Sequence, residues 1–265
     1  KTPYSVIDYD METRLKTVKK VQPVLGGYNP DDYQTEFIWV TAKDGTKVPL
    51  SLIYKKGVAK NGSAPCMLYG YGSYGSPYDP GFSRDMVSLV NRGFVYAIAH
   101  IRGGMEMGYD WYENGKMLKK MNTFTDFIDC ADYLVQQKYT NTDRLFASGR
   151  SAGGLLMGAV TNMRPDLFKG IVTGVPFVDV LTTMSDSSIP LTTGEYTEWG
   201  NPAIKEQYDY MKQYSPYDNL QKKNYPNMLV LTSLNDSQVQ YFEPAKYVAR
   251  LRDLKTDNNV LLLKT

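Results

Sequence analysis

Short apolar runs alternate with stretches of helical periodicity along most of the chain. Apolar positions recur at helical spacing in four segments, at residues 84–91, 123–137, from 152 onward and at 243–254. The apolar runs between them predict strands at residues 66–69, 94–99, 145–149, 170–175, 228–233 and 260–264. Strands that are apolar throughout and separated by helices predict an α/β fold, in which helices cover both faces of a mostly parallel sheet.

Two hairpins are expected before this alternating region. Strand-like runs flank a turn at residues 11–13, and a second pair, 36–42 and 47–54, flanks Asp44-Gly45, which is a strong hairpin signal. The second pair predicts an antiparallel edge of the sheet. The chain begins at Lys1 without a methionine and stops at the end of a predicted strand, so we expect a fragment at both ends.

Composition narrows the classes of function. The net charge is +2 with both signs interspersed, which gives no basic face for nucleic acid. No apolar run approaches the roughly 20 residues that a membrane-spanning helix needs. The two cysteines, Cys66 and Cys130, are expected to be buried free thiols, which favours a reducing compartment and a cytoplasmic location.

No cofactor is expected. Gly70, Gly72 and Gly75 match the G-x-G-x-x-G pattern of dinucleotide-binding proteins, but Pro77 and Pro80 follow. A helix therefore cannot open there to receive a pyrophosphate. No metal-binding motif is expected either.

One serine carries the clearest chemical signal. Residues 149–153 read Gly-Arg-Ser-Ala-Gly, directly after a predicted strand and directly before an apolar helix. This is the strand-turn-helix context in which G-x-S-x-G presents a nucleophilic serine. The backbone N–H of Ala152, at the start of the helix, is a natural donor to the negative oxygen that develops during acyl transfer. We predict Ser151 as the nucleophile.

The chain order of such a site is serine, then acid, then histidine. Asp236 follows a predicted strand late in the chain and is the favoured acid, whereas Asp179 is a competitor after an earlier strand. The only histidine, His100, precedes Ser151 and so stands in the wrong order for the base. The triad is therefore expected to be incomplete within these residues.

Seven segments together resemble the oligopeptidase B group of the prolyl oligopeptidase family of serine peptidases. The resemblance runs from about residue 36 to 265 and implies an α/β-hydrolase fold. The segments are YGYGSYG, IRGGMEMGYDWYENGK, NTFTDFI, GRSAGGLLMGAV, NMRPDLF, VPFVDVLTTMSDSSIPLTTGEYTEWGNP and LNDSQVQYFEPAKYVARLRDLKTD.

The resemblance implies a division of the chain and a partner. Residues 1–35 resemble the last strands of a β-propeller with its linker, and residues 36–265 resemble the catalytic domain. The rest of the propeller is then a missing partner, in the same protein or as a second chain. The family's catalytic histidine would lie a few residues beyond Thr265.

The resemblance also assigns roles by position. Ser151 is the nucleophile and Asp236 the acid, and the oxyanion hole consists of the Tyr71 hydroxyl and the Ala152 N–H. The implied substrates are oligopeptides cleaved after Arg or Lys, whose side chain meets the Glu195 carboxylate while Phe177 packs its stem. Asp79 is implied in a second subsite, although Gly81 replaces the second acid of that subsite.

Two other functions stay open. An esterase or lipase is compatible with the same fold and the same serine motif. A non-catalytic or partner-dependent module is the second alternative, because the base is missing.

Overall fold

The computed structural model describes residues 1–265, and two sheets form its framework. The larger sheet has eight strands in the order β10-β9-β8-β7-β5-β6-β4-β3. All neighbours from β10 to β6 are parallel, and β4 and β3 extend the sheet by antiparallel pairing. The strands are β1 Ser5–Tyr9, β2 Lys16–Val21, β3 Tyr33–Thr41, β4 Lys47–Lys55, β5 Cys66–Tyr69, β6 Val95–Ala99, β7 Leu145–Arg150, β8 Gly170–Gly174, β9 Asn227–Leu231 and β10 Leu261–Lys264.

Helices follow most of the parallel strands. Two short 3-10 helices, Pro30–Asp32 and Met117–Lys119, accompany them. No helix combines the length and the apolar character that a bilayer-spanning segment requires. The α-helices are α1 Arg84–Asn91, α2 Tyr109–Glu113, α3 Met121–Gln136, α4 Ala152–Met163, α5 Val180–Ser185, α6 Tyr196–Trp199, α7 Lys205–Tyr214 and α8 Phe242–Leu254.

The alternation of side chains along β4 shows that both faces of the sheet are covered. Leu50 and Leu52 belong to the large buried cluster that contains Phe127 of α3. Ile53, which points to the other face, belongs to a second cluster with Val90 of α1. The predicted α/β architecture, with a mostly parallel sheet between two layers of helices, is confirmed.

The sequence pattern did not reveal all the helices. The four helices α2, α5, α6 and α7 lie in segments for which no helix was predicted, and α2, α5 and α6 are too short to show a helical period. Helix α3 begins at Met121 rather than at Thr123, and no side chain caps it. Lys120, the residue before it, is already helical and continues from the preceding 3-10 turn.

The amino-terminal hairpin forms its own sheet. Strand β1 pairs only with β2, and the side chains of both strands are exposed. The predicted division between residues 1–35 and 36–265 falls just inside β3, which starts at Tyr33. That division stays a prediction.

Candidate active site

Ser151 occupies a sharp turn between the end of β7 and the start of α4. Its backbone has φ 57° and ψ −116°, a conformation that residues other than glycine rarely adopt. Four backbone hydrogen bonds hold it. The Ser151 N–H donates to Gly174 O at 2.9 Å, and the Ser151 carbonyl accepts from the N–H groups of Gly154 at 2.7 Å and of Leu155 and Phe177 at 3.2 Å each. This is the geometry of a nucleophile elbow.

Small residues make the turn possible. A Cβ atom on Gly149 would lie 2.2 Å from the carbonyl oxygen of Gly153. A Cβ atom on Gly154 would lie 2.4 Å from the Cα of Pro176. Both contacts are with backbone, which cannot move aside as a flexible side chain would. Gly149 of the motif and Gly154 just after it are therefore required by the close approach of strand, helix and the loop after β8.

A cavity of about 310 Å³ opens beside the Ser151 side chain. Five of the seven predicted site residues line it, and they come from four separate parts of the chain. Its remaining lining is mostly apolar and includes Trp199 and Val239. The five are Tyr71, Ser151, Ala152, Phe177 and Glu195.

Two potential hydrogen-bond donors, Tyr71 and Ala152, line the cavity together with Ser151. Ala152 is the first residue of α4, and the N–H of a first helical residue has no acceptor within its own helix. Tyr71 is half-buried, and burial, with the carboxylates of Glu198 and Glu195, raises the pKa of its hydroxyl. The hydroxyl therefore keeps its proton at neutral pH and can donate a hydrogen bond.

Glu195 presents a carboxylate to the cavity. Its Oε2 accepts hydrogen bonds from Tyr74 Oη at 2.7 Å and from Trp199 Nε1 at 2.9 Å, while Oε1 makes no hydrogen bond within the chain. The Trp199 ring also packs against Phe177, with 5.3 Å between centroids. An anchored carboxylate beside aromatic walls suits a cationic side chain with an aliphatic stem.

Asp236 lies in the loop between β9 and α8, near the cavity but outside its lining. Its Oδ1 accepts hydrogen bonds from the backbone N–H groups of Gln238 and Val239, both at 2.9 Å. The two N–H groups fix the carboxylate, and Oδ2 has no partner in the chain. Gln238 and Val239 themselves line the cavity, so the turn that Asp236 holds borders it.

The competing acid, Asp179, is fully buried and paired. Its Oδ2 forms an ion pair with Lys246 Nζ at 2.5 Å. It does not line the Ser151 cavity. A carboxylate that already neutralises a lysine is a poor candidate to orient an imidazole.

His100 lies in a different environment from Ser151. Its Nε2 is 2.8 Å from Ser51 Oγ, and its Nδ1 is 3.6 Å from Glu106 Oε1. Ser51 is in the middle of β4, between two paired strands, so no helix amino terminus offers an oxyanion site there. This placement agrees with the prediction that His100 is not the base of Ser151.

Asp79 is the predicted residue that the structure does not bring to Ser151. It lies in an exposed loop and lines a separate cavity of about 650 Å³ between that loop and strands β3 and β4. No group of three or more His, Cys, Asp or Glu side chains is arranged to hold a metal ion. Both cysteines are buried and unpaired, as expected.

Four residues around the Glu195 side of the cavity were missed by the sequence argument. Tyr74 and Trp199 hold the Glu195 carboxylate, and Lys120 and Glu198 lie behind them. Their roles depend on contacts between distant segments, and no local pattern marks them.

The fold and the elbow together define an α/β-hydrolase, and comparisons with known proteins place the chain within that class. Residues 80–265 match the prolyl oligopeptidase family. The chain belongs to this family.

Individual relatives agree with the family match. Dipeptidyl aminopeptidase BI of Pseudoxanthomonas mexicana is 58% identical over the whole chain, which covers 36% of that protein. A structure of oligopeptidase B from Leishmania major has a TM-score of 0.95 at 54% identity, covering 99% of this chain and 37% of that one. Oligopeptidase B from Trypanosoma brucei, with covalently bound antipain, has a TM-score of 0.95 at 51% identity, covering 99% of this chain and 37% of that one. The chain thus spans a little over a third of the length of these relatives.

Proposed function

We propose that this chain carries the catalytic portion of a serine oligopeptidase that cleaves short peptides on the carboxyl side of Arg or Lys. The observation that carries the proposal is the cavity that joins Ser151, the two oxyanion donors and the Glu195 carboxylate. An extended peptide can place a guanidinium at Glu195 while its carbonyl carbon faces Ser151 Oγ. Family membership and the oligopeptidase B relatives support the same reading.

In this mechanism Ser151 Oγ attacks the scissile carbonyl, and the Tyr71 hydroxyl and the Ala152 N–H stabilise the resulting oxyanion. Asp236 orients the imidazole that takes the serine proton and later returns it to the leaving amine. His100 contacts Ser51 instead, so we propose that the imidazole comes from a histidine outside residues 1–265. A propeller domain that restricts access to short peptides is part of the same proposal, as is a cytoplasmic location.

The substrate class is tested by measuring how fast the protein that contains this chain hydrolyses peptidyl coumarin amides. Blocked peptides ending in Arg or Lys are expected to be cleaved, and peptides ending in Phe or Pro much less. Ser151→Ala should abolish cleavage. Glu195→Gln should lower kcat/KM for the Arg substrate on the order of 10-fold to 100-fold, since a charge-assisted pair is worth about 1.5–3 kcal/mol.

The matched control is Glu206→Gln, which removes a carboxylate from an exposed position on α7 and should change nothing. The relative from Pseudoxanthomonas mexicana is named a dipeptidyl aminopeptidase, so each peptide should also be tried with a free amino terminus. Faster cleavage of unblocked dipeptide amides would favour that activity over an endopeptidase. Turnover of short esters without cleavage of Arg peptides would refute the peptidase assignment and favour an esterase.

A further inference from the structure

Lys120 is a buried lysine that lies against Trp199, a residue of the cavity wall. Only 1% of its surface is exposed. Its Nζ donates to Gly72 O at 2.5 Å, Ser73 Oγ at 2.8 Å and Gly115 O at 3.1 Å, so all three ammonium hydrogens have acceptors. Two of these acceptors belong to the loop that directly follows Tyr71.

Glu198 is the buried acid on the other side of the same wall, and it is 3% exposed. Its Oε1 accepts from the backbone N–H of Tyr74 at 2.8 Å, and its Oε2 accepts from Tyr112 Oη at 2.7 Å. Tyr74 has φ 59°, a strained value for a tyrosine. The hydrogen bond that the Tyr74 N–H donates to Glu198 therefore helps to hold a backbone conformation that would otherwise relax.

Each of the two contacts a residue whose side chain in turn holds the Glu195 carboxylate. The Lys120 ammonium lies 5.1 Å from the centroid of the Trp199 ring, within cation–π distance. Trp199 donates to Glu195, and so does Tyr74, whose backbone Glu198 holds. Lys120 and Glu198 together thus support the loop after Tyr71 and a wall of the Glu195 pocket at the same time.

We propose that Lys120 and Glu198 act as a buried positioning pair, which sets the places of the Tyr71 hydroxyl and the Glu195 carboxylate relative to Ser151. The inference rests on the proposed function, because it assigns the pair a role in orienting a cationic substrate. Burying a lysine is unfavourable, and burial lowers the pKa of Lys120 to about 7. A position that only required packing would be better served by an apolar side chain.

Equilibrium binding of p-aminobenzamidine, a cation of arginine-like chemistry, tests the inference without requiring turnover. Its neutral isostere 4-aminobenzamide reports on the aromatic walls alone. In the protein that contains this chain, Lys120→Met is expected to weaken p-aminobenzamidine on the order of 10-fold and to leave 4-aminobenzamide unchanged within about twofold. Isothermal titration calorimetry measures both.

The sign of the effect separates positioning from simple electrostatics. Removing a nearby cation without moving Glu195 would tighten the binding of a cationic ligand. Unchanged or tighter binding of p-aminobenzamidine to folded Lys120→Met would therefore overturn the inference. Equal weakening of both ligands would also overturn it, because it would indicate a general loss of packing.

One further variant, with a control, keeps the test decisive if Lys120→Met does not fold. Tyr112→Phe removes a hydrogen bond to Glu198 without changing any charge, and it should weaken p-aminobenzamidine about threefold but not 4-aminobenzamide. No weakening in that variant would also contradict the inference. Lys60→Met is the matched control, since Lys60 pairs with Glu36 outside the Ser151 cavity, and it should bind both ligands normally.

Glu195→Gln distinguishes failure of this inference from failure of the proposed function. If the unmodified protein does not bind p-aminobenzamidine, or if Glu195→Gln binds it equally well, then the Arg/Lys pocket is wrong and the inference falls with it. If binding depends on Glu195 but not on Lys120 or Tyr112, the pocket stands and only the positioning role is refuted.

Discussion

Glu243 offers a test of how the loop beside the cavity is held. It lies in the first turn of α8 and is 1% exposed. Its Oε2 accepts from the backbone N–H groups of Val178 and Asp179, each at 3.1 Å, and its Oε1 accepts from Thr183 Oγ1 at 2.7 Å. Burial, with a contribution from the neighbouring Asp179 carboxylate, raises the pKa of Glu243 from 4.5 to about 7 even though its hydrogen bonds act to lower it.

The sign of the pH dependence follows from this shift. Between pH 4.5 and about 7 the folded protein holds a proton on Glu243 that the unfolded chain has lost. The free energy of unfolding therefore falls as the pH rises through this interval. At about 1.4 kcal/mol per pH unit, the full loss is about 3 kcal/mol. Below pH 4.5 both states are protonated, and above about 7 both are ionised, so the contribution is flat there.

Glu243→Gln removes this titration while keeping the hydrogen bonds. The glutamine oxygen can accept from the two backbone N–H groups, and the amide can donate to Thr183 Oγ1. We expect the wild-type stability, measured by urea unfolding at several pH values, to fall by about 3 kcal/mol relative to the variant between about pH 4.5 and 7. Other groups titrate in both proteins and cancel in the difference.

Glu206→Gln, on an exposed face of α7, is the control and should give a difference from wild type that does not vary with pH. A Glu243→Gln difference that is equally flat would refute the reasoning, since it would mean that Glu243 ionises at the same pH in both states. A difference that grows in the opposite direction would mean that the hydrogen bonds outweigh burial.

Two more substitutions test the packing around the site. Gly154→Ala should destabilise the protein by about 1–3 kcal/mol, because its Cβ would lie 2.4 Å from Pro176 Cα. Thermal unfolding checks this against Gly194→Ala, whose Cβ would come no closer than 3.5 Å, to Leu191 O. Asp126→Ala should lower the free energy of unfolding by about 3–5 kcal/mol, measured with urea, because it leaves the buried Arg102 without this partner. Asp126 accepts hydrogen bonds from Arg102 N, Nε and Nη2 at 3.0, 2.8 and 2.6 Å. A loss below about 1 kcal/mol would contradict the importance of this buried pair.

Features that depend on neighbouring residues could be predicted from the sequence. The elbow at Ser151 is encoded within five residues between a strand and a helix, and the turn at Asp44-Gly45 is encoded within two. The parallel strands were predictable because each is a short apolar run. The assignments of Glu195, Phe177 and Tyr71 came from the family resemblance, and without it nothing local distinguishes Glu195 from an exposed glutamate.

The support behind the site could not be predicted, for a physical reason. Lys119 and Lys120 are adjacent and identical in type, yet Lys119 is exposed and Lys120 is buried. The difference is made by carbonyl groups at Gly72 and Gly115, one of them 48 residues away in the sequence. Likewise Glu198 receives its hydrogen bond from Tyr74, 124 residues earlier. Such contacts exist only after the chain has folded.

The hydrogen bonds around Ser151 have a consequence for redesign. The Ser151 main chain is tied to Gly174 and Phe177, which lie at the end of β8 and in the loop after it. A change in the length of that loop would thus shift the reactive oxygen and the Phe177 wall together, altering turnover and selectivity at once. Glu195 is held by Tyr74 and Trp199 instead, so a substitution in α6 can change selectivity while the Ser151 backbone stays in place.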